Sequence, residues 1–97
     1  MAKSLMVVCG TGIATSTVAT GKIKSYLDEQ GLSSEVHFLQ SKIADEVSAI
    51  GNDEYDIVVS TTMVPSSIQS KVINGVPLLT GIGADKVLEE IKTKVEA

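Results

Sequence analysis

Ser4-Leu5-Met6-Val7-Val8-Cys9-Gly10-Thr11-Gly12-Ile13-Ala14-Thr15-Ser16-Thr17 is the stretch whose reading decides the fold. Residues 4–8 predict a strand ending at Cys9, whose apolar run Leu5-Met6-Val7-Val8 suits burial on both faces. The run stops at Cys9-Gly10, and a second glycine follows at Gly12. Beyond the hydroxyl triplet Thr15-Ser16-Thr17 the pattern turns helical. Ala19, Ile23, Tyr26 and Leu27 recur at spacings of three and four, so residues 16–30 predict a helix with one apolar face. Gly31 is its stop signal.

The same alternation continues outward. Residues 35–39 predict a second strand, with Val36 and Phe38 on one face and Glu35 and His37 on the other. That alternation suits an edge or half-exposed strand. A second helix is expected over residues 42–50, ending at Gly51. Residues 56–60, Asp-Ile-Val-Val-Ser, predict a third strand. Residues 61–70 are polar, contain Pro65 and read as loop with one helical turn. A fourth strand is expected over residues 76–79, and Gly81-Ile82-Gly83 opens a last helix with Ala84, Val87, Leu88, Ile91 and Val95 on its buried stripe. Strands alternating with helices predict a parallel sheet covered on both faces, joined by right-handed crossovers. The two most apolar strands, the first and third, should take the centre, and the order 2-1-3-4 satisfies this. One domain, residues 1–97, accounts for the whole chain.

In an open parallel sheet, ligands bind outside the carboxyl ends of the strands, where the strand order reverses. Here that point lies between the first and third strands, so the loops after Cys9 and Ser60 should flank one crevice. Gly10 and Gly12 allow a tight turn that brings amide N–H groups inward. Thr15, Ser16 and Thr17 supply hydroxyls and a helix cap. The helix N-terminus adds about half a positive charge. Together these make an anion site suited to phosphate, formed by Gly10, Thr11, Gly12, Ile13, Ala14, Thr15, Ser16 and Thr17, with Cys9 at its floor. The same field should lower the thiol pKa and favour the nucleophilic thiolate. Sulfur at the base of a phosphate cradle points to a transient thiophosphate ester. A lone cysteine at a strand end is commonly just a small core residue, but a packing cysteine needs neither the glycines nor the hydroxyls.

Other loops of this kind are missing their deciding residues. A mononucleotide P-loop needs Gly-Lys followed by Ser or Thr, and Gly21-Lys22 is followed by Ile23. A dinucleotide fingerprint needs glycine where Thr15 stands. A thiol redox motif needs a second cysteine, and the chain has one. A low-molecular-weight tyrosine phosphatase needs an arginine at position 15, and all eight basic residues are lysines. His37, the single histidine, could accept a phosphoryl group, but its polar-face position reads as a solvated bystander. Ser60, Thr61 and Thr62 either line the crevice or cap their strand. Met63 and Val64 are either an apolar rim for a partner or loop packing. Gly81 and Gly83 are a plain strand-to-helix turn.

Composition narrows the setting. With 12 acidic against 8 basic residues, net charge −4, the chain lacks the basic face that nucleic acid requires. One cysteine permits no internal disulfide, which suits a reducing compartment. The N-terminal apolar run is too short for a signal peptide or a membrane helix, so the expectation is a soluble cytoplasmic protein with no direct membrane insertion. No cofactor or metal is expected.

The segment from Leu5 to Val18 resembles the active-site loop of the B components (IIB) of the phosphoenolpyruvate-dependent sugar phosphotransferase system. The Ala14-Thr15-Ser16-Thr17 ending looks most like the galactitol-type branch. So do the Ser60-Thr61-Thr62 that follows the third strand, Val64-Pro65, and Thr80-Gly81-Ile82-Gly83. The resemblance spans essentially the whole chain. It implies a Rossmann-like three-layer α/β sandwich. It also implies that Cys9 takes a phosphoryl group from a phosphohistidine of the A component (IIA). Cys9 would pass that group to galactitol, or a related polyol or sugar, in the membrane-embedded C component (IIC). The alternative is a non-catalytic small-molecule or phosphate-binding domain with a structural cysteine.

Overall fold

The structure is a computed structural model that describes residues 3–10 and 14–97; of residues 14–16 it describes the backbone alone. Strand β1 (Lys3–Cys9) lies at the centre of a four-stranded, all-parallel sheet of order β2-β1-β3-β4. Its partners are β2 (Val36–Lys42), β3 (Ile57–Ser60) and β4 (Ile73–Asn74). The helices among the described residues are α1 (Ala14–Glu29), α2 (Ile43–Gly51), α3 (Val76–Thr80) and α4 (Ala84–Glu96). Short 3-10 turns cover Ser33–Glu35 and Gln69–Lys71.

The apolar run of β1 forces this arrangement. Leu5, Val7 and Val8 are fully buried and Met6 nearly so, which means both faces of the strand must be covered. Successive side chains alternate faces. Leu5 and Val7 enter a core with Ala19, Ile23 and Leu27 of α1 and Val87, Ile91 and Val95 of α4. Met6 and Val8 enter a second core with Ile50 of α2, Val58 and Ile68. The result is three layers, with α1, α3 and α4 on one face and α2 on the other. Burying a side chain such as Ile23 or Leu27 stabilises by about 2 kcal/mol. Gly31 has a φ of 73°, the left-handed conformation that ends α1, with its N–H donating to Asp28 O at 3.1 Å.

β2 is an edge strand and runs three residues past the expected end. Gln40, Ser41 and Lys42 pair with Val7, Val8 and Cys9. Backbone pairing with the central strand carries them, although their side chains give no strand pattern.

The fourth strand is corrected. Residues 76–79 are not a strand; they lie in α3, and β4 is the two-residue bridge before it. Pro77 explains the outcome. It has no N–H to give a sheet, and it sits in the first turn of a helix, where none is needed. The Asn74 side chain accepts from Val76 N at 3.1 Å and starts the turn. Gly81 therefore ends α3 rather than a strand, in a left-handed conformation with φ 83° and its N–H on Pro77 O at 2.8 Å. Gly83, φ 81°, precedes α4, so the pair is a helix-to-helix turn.

Gly75 sits where chain meets chain. Its N–H donates to Ser60 O at 2.6 Å. A Cβ there would lie 2.6 Å from Val59 Cγ1 and 3.1 Å from Ser60 O. Val59 is fully buried and cannot yield. Gly75→Ala is expected to destabilise by roughly 1–3 kcal/mol through overpacking. Gly21→Ala, in α1 with nothing within 4 Å of the new methyl, should stabilise by about 0.5–1 kcal/mol. Urea midpoints for the two variants should move in opposite directions; movement of both in one direction would contradict the packing described at Gly75.

Candidate active site

Cys9 is the last residue of β1. It pairs with Lys42 of β2, while Val8 beside it pairs with Ser60 of β3. The residue is 1 % exposed. Its thiol donates to the main-chain carbonyl of Ser41, Sγ to O 3.9 Å, a long sulfur hydrogen bond. Helix α1 begins five residues later, so its N-terminus stands at the carboxyl end of the sheet, the end suited to anions.

The loop after β3 closes on the same end. Thr61 N donates to Val8 O at 3.1 Å, and the Thr61 hydroxyl reaches the same carbonyl at 3.4 Å. A Cβ on Gly10 would stand 3.4 Å from Thr62 Oγ1. The two loops expected to flank one crevice are thus side by side. The Ser60 hydroxyl, buried at 1 % exposure, donates to Thr62 O at 2.7 Å and accepts from Thr62 N at 3.1 Å. It caps its own strand, while Thr62 faces Gly10.

Of the expected cradle, Thr11, Gly12 and Ile13 lie outside the described residues. Ala14, Thr15 and Ser16 supply backbone to the first turn of α1, and their side chains lie outside the description as well. The Thr17 hydroxyl donates to the Gln40 side chain at 3.1 Å, tying α1 to the end of β2. Val64 packs into the core under α2, which is loop packing. Met63 is 88 % exposed. It rims a cavity of about 240 Å³ at the ends of β3 and β4, with Ser60, Thr62, Asn74 and Val76 in its wall. His37 is exposed and pairs with Ser4, five residues before Cys9 along β1. At about 3.3 Å per residue it is roughly 16 Å from the thiol. No described helix is long and apolar enough to cross a membrane.

Comparison with known proteins identifies the family. The family described as "PTS system, Lactose/Cellobiose specific IIB subunit" matches residues 4–90. The chain belongs to this IIB family of the phosphotransferase system. It is also 31 % identical over 90 residues to the "Putative phosphotransferase enzyme IIB component SgcB" of Escherichia coli (strain K12). That alignment covers 93 % of this chain and 94 % of the relative. No solved structure matches significantly. Proteins of the IIB family are phosphotransferase components, and the match runs from β1 through the cysteine loop into α4.

Behind the cysteine of this IIB chain lies a polar network that the sequence did not announce. The Ser41 hydroxyl donates to Glu46 Oε2 at 2.9 Å, and the Tyr55 hydroxyl donates to Glu46 Oε1 at 2.6 Å. Glu46 stands in the first turn of α2, where the helix dipole favours a carboxylate. The only hint in the sequence is an acidic residue at a helix start, five positions after a strand-end serine. Together with Thr17 on Gln40, this pins the end of the edge strand to a helix on each face of the sheet.

The phenol of Tyr55 is pushed up from 10.0 to about 12. The hydrogen bond to Glu46 is the main cause, followed by burial and by the charges of Glu46 and Glu54. A raised pKa means the neutral phenol is favoured in the folded chain. Its stabilisation is complete below about pH 10, the ordinary tyrosine value, and is lost as pH rises through about 12. Tyr55→Phe should therefore cost roughly 1 kcal/mol at neutral pH. The deficit should hold to about pH 10 and shrink above it. Urea unfolding of both proteins across that range checks this; a deficit that stays flat would contradict the bond to Glu46.

Proposed function

We propose that the chain is a phosphoryl carrier that accepts its phosphoryl group on Cys9. The donor is the phosphohistidine of the IIA component, and the acceptor is a sugar or polyol held by the membrane IIC component. The observation that carries this reading is the position of the single cysteine. It ends the central strand just before α1, beside the loop after β3, in a chain of the IIB family. Gly10, Thr11, Gly12, Ile13, Ala14, Thr15, Ser16 and Thr17 would bind the phosphate, through amides at the helix head and the hydroxyls of residues 15–17. The carrier works in the cytoplasm, where thiols stay reduced.

The second reading, a phosphate-binding domain with a structural cysteine, draws on the low exposure of Cys9. One labelling experiment decides between them. The protein is incubated with labelled phosphoenolpyruvate, the general phosphotransferase proteins and a matched IIA component. Wild type and His37→Ala should take up label at similar rates. Cys9→Ser should fold and take up none. Normal labelling of Cys9→Ser would overturn the assignment.

The sugar we propose is galactitol or a related polyol, on the strength of Ala14-Thr15-Ser16-Thr17. The family description names lactose and cellobiose instead. Membranes carrying the cognate IIC component, charged through this chain, should phosphorylate galactitol and leave cellobiose and lactose untouched. Phosphorylation of either disaccharide in preference would move the assignment to it.

A further inference from the structure

The thiol of Cys9 does not end a strand in isolation; it is the first member of a bonded series. Its S–H donates to Ser41 O at 3.9 Å, the Ser41 hydroxyl donates to Glu46 at 2.9 Å, and Tyr55 donates to the other oxygen of that carboxylate at 2.6 Å. Three elements meet there: the end of β2, the first turn of α2, and the segment just before β3. An ionised carboxylate is acceptor-only, so both hydroxyls must turn their protons toward it. This fixes the Ser41 hydroxyl. With Cys9 paired to Lys42, it also fixes the peptide whose carbonyl faces the thiol.

We propose that Glu46 and Tyr55 are positioning residues for Cys9. Acting through Ser41, they hold a main-chain carbonyl where it takes the thiol hydrogen bond and sets the direction of the sulfur lone pairs. The inference rests on the reading of Cys9 as the phosphoryl acceptor. In that transfer an S–P bond forms as the N–P bond of the donor phosphohistidine breaks. The S–H bond breaks in the same transfer, and its proton, given up from its bond to the Ser41 carbonyl, ends on the freed imidazole nitrogen. The carbonyl orients the proton without removing it, since a peptide oxygen is an acceptor and not a base at neutral pH. A reacting atom held in one direction gains rate because its orientation need not be found anew at each encounter.

Because Cys9 is the sole cysteine, the infrared S–H stretching band of the protein has a single source. Ser41→Ala keeps the carbonyl and removes its tether; Tyr55→Phe loosens the same tether one step further away. In both, the band should move toward that of a thiol with no acceptor, while circular dichroism stays as in wild type. Ser41→Thr, which restores a hydroxyl, should return the band. Phosphoryl acceptance from the IIA donor should fall about tenfold in Ser41→Ala, equivalent to about 1.4 kcal/mol. An unmoved band in both variants overturns the proposal. A moved band with wild-type acceptance also overturns it, because the bond would then be structural only. Should the wild type itself take no label, the carrier reading falls, and the band, read without any donor, still decides whether the tether orients the thiol.

Discussion

A strand buried on both faces has no room for chemistry along its length and can offer it only at its end. That constraint organises the molecule. β1 carries Leu5 and Val7 into one core and Met6 and Val8 into the other, so each layer of helices holds it from its own side. β2 and β3 hold its two backbone edges in register. Cys9 is the first position at which the strand meets the end of the sheet, where it pairs with Lys42 and its thiol bonds to the Ser41 carbonyl.

The price of a central strand is that the groups around its end must satisfy their own backbone. The exits from β1 and β3 do this locally. Thr61 takes the Val8 carbonyl, Ser60 bonds twice to Thr62, and the Gly75 N–H takes the Ser60 carbonyl. The edge strand needs external support, since one side of it is unpaired. It receives that support through side chains, Gln40 to Thr17 on one face and Ser41 to Glu46 on the other. The end of β2, beside the cysteine, is thereby tied to a helix on each face of the sheet. The glycine requirement at Gly75 belongs to the same closure, since β4 and α3 approach Val59 too closely for any side chain there.

The fold was legible where hydrophobic pattern and length agreed. β1 and β3 are continuous apolar runs, α1 has four apolar residues on one face and a glycine stop, and the observed order 2-1-3-4 puts the two most apolar strands at the centre, as expected. The pattern failed at α3 for a physical reason. A five-residue helix completes little more than one turn, so periods of 2 and 3.6 cannot be told apart over Val76, Leu78 and Leu79. Pro77 after Asn74-Gly75 was the better signal, because it favours a helix start over a strand interior. The second half of β2 was hidden because Gln40, Ser41 and Lys42 are polar residues carried by their neighbour. At the site, the cysteine and the apposition of the two loops could be read from topology. The tether through Ser41, Glu46 and Tyr55 could not, because three polar residues on three elements leave no pattern in one dimension.

A phosphoryl carrier has to bind phosphate without helping water attack it. Amides and a helix N-terminus serve the first need, since fixed dipoles stabilise a resting anion. Speeding hydrolysis needs more: a cation that gathers charge in the transition state, and a base that activates water. The chain contains no arginine to play the first part. Its two prolines follow Val64 and Val76, so it also lacks the Asp-Pro acid loop of the small cysteine phosphatases. The carboxylate that stands behind the thiol is Glu46, and both its oxygens are engaged, one by Tyr55 and one by Ser41. A base so occupied is poorly placed to take a proton from water. The bonds that steady the end of β2 thus also occupy both oxygens of this acid.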